Sequence, residues 1–82
     1  MDGKPRVMTL AEVKSSDFVY FEFHDVILED CAVLMEPLCR DIVIVSPENG
    51  RWFMPETSYN DSWRCWTAMP TPEQREAEPW KL

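Results

Sequence analysis

"DIVIVSPENGRWFM", residues 41–54, holds two apolar runs separated by Ser-Pro-Glu-Asn-Gly. Pro47 fixes its own φ and Gly50 tolerates a positive one, as a tight turn requires, while the flanking Ile, Val, Trp and Phe suit a pleated, half-buried chain. The segment predicts a β-hairpin, with a buried strand in DIVIV and a return strand in RWFM. An isolated hairpin is barely stable, so further strands must cover it. Upstream, "FVYFEFHD" (18–25) is dense in aromatic and β-branched residues and reads as a strand. Alternation puts Val19, Phe21 and Phe23 on the core side and Phe18, Tyr20, Glu22 and His24 on the other. Downstream, "WRCWTAM" (63–69) reads as extended, with Trp63 and Cys65 on one side and Arg64 and Trp66 on the other.

Between these strands, "VILEDCAVLMEPL" (26–38) admits two readings. Ile27, Cys31, Leu34, Met35 and Leu38 make a helical stripe, whereas a hairpin turning at Glu29–Asp30 fits the same residues. Pro37 limits a helix, and the β signals on either side favour strands.

Two short helices frame the strands. Thr9 and Glu12 have capping-box spacing, which predicts a helix over 10–15 with Leu10 and Val13 inward. Thr71, Pro72 and Gln74 predict a second capped helix that stops before Pro79. Trp80 then folds back to close the core. The expected class is α+β: one domain over 1–82, with a small, mainly antiparallel sheet of three to five strands, a short N-terminal helix and a short capped C-terminal helix.

Composition narrows the function. The chain is 45% hydrophobic, enough to fold, and its two glycines against seven prolines favour stiff turns over flexible linkers. No apolar run is long enough to span a membrane, and the first dozen residues lack the apolar core of a signal peptide, so a cytoplasmic location is expected. The net charge is −7, and Asp17, Glu22, Asp25, Glu29, Asp30 and Glu36 fall in one window without Lys or Arg. Direct binding to nucleic acid needs a basic surface and is disfavoured. A protein partner with a basic or nucleic-acid-binding surface is the natural complement, and a merely solvated acidic face is the plainer alternative. With Tyr20 beside Glu22 on one strand face, and Trp66 as the tryptophan expected to be exposed, these residues form the candidate partner-binding surface.

The ending Trp63-x-Cys65-Trp66-Thr67-x-x-Pro70-Thr71-x-Glu73-Gln74-Arg75, behind a Gly50-x-Trp52 hairpin, resembles short proteins of tailed phages and prophages. The resemblance covers about a third of the chain and carries no catalytic residues. It implies an accessory protein in a bacterial host cell that modulates or inhibits a host protein, anti-CRISPR inhibitors being one such class.

Other chemistries compete with this reading. His24, Cys31, Cys39 and Cys65 are a formal zinc ligand set for a small structural module, but they lack the close cysteine pairs of zinc knuckles. Reduced core thiols are the simpler use of the cysteines. Nothing marks a nucleophile elbow or an oxyanion site, so no enzyme and no cofactor are expected.

Overall fold

The computed structural model describes residues 4–35, 38 and 41–80. In chain order the elements are helix α1 (Leu10–Lys14), strands β1 (Phe18–Phe23), β2 (Val26–Met35), β3 (Ile42–Ser46) and β4 (Gly50–Met54), a 3-10 turn (Glu56–Ser58), strand β5 (Trp63–Trp66) and helix α2 (Pro72–Ala77). All pairings are antiparallel, in the order β4-β3-β2-β1-β5, so the last strand returns beside the first. This is the α+β class expected, with five strands.

Both helices begin where their side chains supply missing hydrogen-bond acceptors. The Thr9 hydroxyl accepts from the Glu12 N–H while the Glu12 carboxylate accepts from the Thr9 N–H, and Thr71 and Gln74 repeat the exchange at α2. Arg6 grips the same Glu12 carboxylate at 2.6 and 2.9 Å and, with the Thr9 N–H, holds its pKa down to about 2.

Segment 26–38 corrects the expected hairpin at Glu29–Asp30. The chain turns earlier, at His24–Asp25, and β2 then runs unbroken to Met35. At 29–30 it carries a bulge instead: Val19 faces Cys31 and Phe21 faces Leu28, so Glu29 and Asp30 together oppose Tyr20. Asp30 has φ 52° and His24 φ 54°, the left-handed region that Asp, Asn and His enter more readily than other side chains. The extra residue returns both Leu28 and Cys31 to the core side. β2 can therefore pair with β1 along its first part and with β3 along its second.

The sheet curls strongly. Trp52 of β4 lies 5.6 Å from Phe21 and 5.7 Å from Phe23, ring centroid to ring centroid. In a flat sheet, strands three places apart stand about 14 Å apart. The concave side holds the core: Val19, Phe21, Cys31, Ile42, Ile44, Met54, Trp63 and Cys65, closed by Met8 and by Val13 of α1. Tyr59 bolts the loop before β5 in place, donating to the Met8 carbonyl and accepting from the Cys65 N–H. Residues 6–8 lie along the free side of β5, where the Met8 N–H bonds the Cys65 carbonyl at 2.9 Å and the Thr67 N–H bonds the Arg6 carbonyl at 3.0 Å.

Candidate functional site

The convex side of β1 and β5 should face solvent by alternation, and here it does not. Glu22 is 2% exposed and Arg64 is 0% exposed, although they stand directly opposite on neighbouring strands. Arg64 Nε donates to Glu22 Oε1 at 2.7 Å, Trp66 Nε1 donates to the same oxygen at 2.6 Å, and Arg75 Nε reaches Glu22 Oε2 at 3.1 Å. Arg64 has donors to spare. It gives Nη1 to the Glu78 carbonyl at 3.0 Å and Nη2 to the Arg75 carbonyl at 3.2 Å. These carbonyls belong to the end of α2 and its exit, where backbone acceptors lack helical partners and a cation is favoured.

Trp80 completes the clamp, its ring centroid 4.0 Å from the Arg64 guanidinium carbon, with Trp66 at 5.1 Å. The C-terminal segment is thus a lid, as expected, but it covers a buried ion cluster and not the apolar core. Burial raises the Glu22 pKa, yet donation from Arg64, Trp66 and Arg75 outweighs that and leaves it lowered. Such a carboxylate is ionised, fully engaged and unsuited to proton transfer. The cluster is architecture.

Two expected surface residues are therefore corrected. Glu22 and Trp66 (1% exposed) lie inside the protein, because α2 and Trp80 pack over the face that alternation alone gives to water. Tyr20 is half-buried. The remaining acids do not form one patch either. Asp17 is exposed at one end of β1 and Asp25 beyond the other, with all six residues of the strand between them, a span of roughly 20 Å. Glu36 lies outside the described residues.

Around the Asp25 end the fold gathers acids from distant parts of the chain. Asp25, Glu76 and Glu78 line a shallow concavity of about 360 Å³ with His24, Arg75, Pro72, Pro79 and Trp80. Asp61 joins Asp25 and Trp80 in the adjoining one. Further along β2, Glu29 and Asp30 meet Glu48 of the β3–β4 turn around a third, of about 420 Å³. Among the described residues Arg75 is the only cation lining these three, and it is committed to Glu22 and the His24 carbonyl. Sequence reading missed Glu48, Asp61, Glu76 and Glu78 because they lie outside the acidic window. The capped α2, which ends above Glu22, was the signal that could have placed the last two.

Cys31 and Cys65 are free thiols buried in the core, and burial pushes both pKa values up. His24 is exposed at the β1–β2 turn, and Cys39 lies outside the described residues. Among the described residues no three His, Cys, Asp or Glu side chains form a group able to hold a metal. Nor is any helix among them long and apolar enough to cross a membrane.

The residues that carry the phage-protein resemblance are divided between the core and this clamp. Trp63, Cys65, Trp66 and Pro70 are buried, Thr71 and Gln74 cap α2, and Arg75 holds Glu22. No protein-family model matches the chain, and neither does any curated protein or solved structure.

Proposed function

We propose that this chain is a non-enzymatic protein-binding module whose working surface is the acidic end of the sheet. The observation that carries the reading is the convergence of Asp25, Asp61, Glu76 and Glu78 around Trp80. Carboxylates from a β-turn, a loop and a helix meet beside a half-buried aromatic ring, with the neighbouring Arg75 already neutralised by Glu22. Interfaces favour that combination of a charged rim and an aromatic anchor. The ions and the capped helix beneath it hold the surface rigid, which lowers the ordering cost of binding.

The partner is a protein with a basic surface, of the kind that otherwise holds nucleic acid; carboxylates then occupy the places of phosphates. The phage-type accessory role, inhibition of a host protein, is the setting in which such a surface makes sense, and it rests on the C-terminal sequence pattern. The test is capture from bacterial lysate with the intact chain and with a Asp25→Lys, Glu76→Lys, Glu78→Lys variant of equal melting temperature. A protein retained by the first and lost by the second supports the reading. Equal retention by both refutes it.

A further inference from the structure

The sheet ends at β4, and among the described residues nothing pairs with that strand's outer side. The opposite end is protected, since residues 6–8 lie along β5. An open edge presents unpaired N–H and C=O groups, and proteins usually blunt it with a bulge, a proline, a lysine or a covering loop. The pairing of β4 with β3 has no register shift, and its sequence "GRWFM" contains neither Pro nor Lys.

The convex face beside this edge is apolar. Phe53 is 54% and Leu34 45% exposed, and Phe18, on the same face of β1, is 67% exposed. Residues Cys31–Met35, β3 and β4 together contain one charged side chain, Arg51, in a chain of net charge −7. The nearest acids in sequence, Glu48 and Glu56, flank β4 without entering it, and Glu56 is held by Lys14 at 3.2 Å, so the strand itself repels a second copy least.

We infer that β4 pairs antiparallel with β4 of a second copy of this chain, about a two-fold axis near Trp52, and continues the sheet across both copies. Trp52 is the central residue of the strand, so this register places Arg51 opposite Phe53 of the second copy. Both side chains stand on the convex face, where a guanidinium over a ring is attractive, and the two Arg51 side chains never face each other. The pattern is self-complementary, as a two-fold interface requires. Along β4 itself a basic partner finds no acid, and an acidic one finds a single cation.

Sedimentation equilibrium of the full chain, from low micromolar to millimolar concentration, tests this. One short strand and its flanking face fall below the size of a standard stable interface, so association should be weak and concentration-dependent. The mass should rise from one copy toward two, and added salt should strengthen association by screening the net −7 on each copy. The acidic-end complex responds to salt in the opposite sense, so the two readings fail separately. Phe53→Lys, which sets a second cation opposite Arg51 of the other copy, and Arg51→Glu, both at exposed positions, should keep the thermal melt and sediment as single copies throughout. Phe18→Ser, three strands from the edge, should associate like the unaltered chain. A chain that remains a single copy at millimolar concentration overturns the inference. So does unaltered association in both Phe53→Lys and Arg51→Glu, or its loss in Phe18→Ser, which would mean packing face to face.

Discussion

Glu22 and Arg64 face each other across β1 and β5 at 2.7 Å with their side chains sealed from water, and the rest of the C-terminal architecture is arranged around that pair. Neither ion would tolerate this burial alone. Glu22 is satisfied by Arg64, Trp66 and Arg75, and Arg64 by Glu22 and two carbonyls at the end of α2.

Removing one partner leaves an uncompensated buried charge, which typically costs about 3–5 kcal/mol, whereas replacing a buried pair by apolar residues of similar volume is often near neutral. Glu22→Leu or Arg64→Met should each destabilise the protein by about that amount. The Glu22→Leu, Arg64→Met double variant should lose less than the sum, with Arg75, already partly exposed, turning to solvent. Urea titrations of the four proteins read the coupling directly. Strict additivity would mean that the pair contributes no interaction of its own.

The pH dependence follows from the same carboxylate. Its folded pKa is lowered, so its contribution is fully present above the unfolded value, about 4.3, and is lost as pH falls through the folded value. Stability should fall on acidification below that point, and less steeply in Glu22→Gln, which has no charge to lose. Glu12, held at about 2, adds a slope of the same sign, which Glu22→Gln retains. Superimposable acid limbs in urea titrations from neutral pH downward would count against Glu22 as a source.

Trp80 covers Arg64 while remaining partly exposed, so its contribution is a cation–π contact and not a full core burial. Trp80→Ala should cost about 1–2 kcal/mol, toward the upper range for a desolvated pair. Truncation after Pro70 removes Arg75 and both carbonyl acceptors as well, and should cost about 3 kcal/mol or more. A truncated chain melting within a few degrees of the full length would show that the clamp is not coupled to the sheet.

Much of this fold was readable from local chemistry. Thr9-x-x-Glu12 and Thr71-x-x-Gln74 specify helix starts by hydrogen bonds that need no tertiary partner, and SPENG supplies its own turn. What was not readable depends on which faces are covered. Alternation correctly paired Glu22 with the side opposite Phe21, but it cannot say that a helix fifty residues later will roof that side. The acidic pair Glu29–Asp30 did signal a backbone irregularity. It became a bulge because the two-residue turn was already made at His24–Asp25, which lacks the glycine that usually announces one. The binding surface was harder still, since Asp25 meets Asp61, Glu76 and Glu78 only after the chain returns.

The thiols of Cys31 and Cys65 should be silent in the folded state. Both are 0% exposed, and burial raises their pKa, so reactive thiolate is scarce at neutral pH. A thiol reagent under native conditions should label neither until denaturant is added, as peptide mapping would show. Rapid native labelling of Cys65 would point to opening between β5 and the 6–8 segment.

The separation of the acids makes the last prediction specific. If the acidic end of the sheet binds the partner, charge reversal should matter by position and not by number. Asp17→Lys changes the net charge as much as Asp25→Lys does, yet it lies at the far end of β1. Long-range attraction between exposed charges fades beyond about 8–10 Å at ordinary ionic strength, so Asp17→Lys should leave association with the captured partner nearly unchanged. Asp25→Lys, beside Glu76, Glu78 and Trp80, should slow association and weaken the complex, with the difference shrinking as salt rises. Both residues are exposed turn or loop positions, so neither change should alter the melt. Surface plasmon resonance at several salt concentrations separates the outcomes. Equal effects from the two substitutions would reduce the acidic surface to a matter of net charge, and the proposed site would be withdrawn.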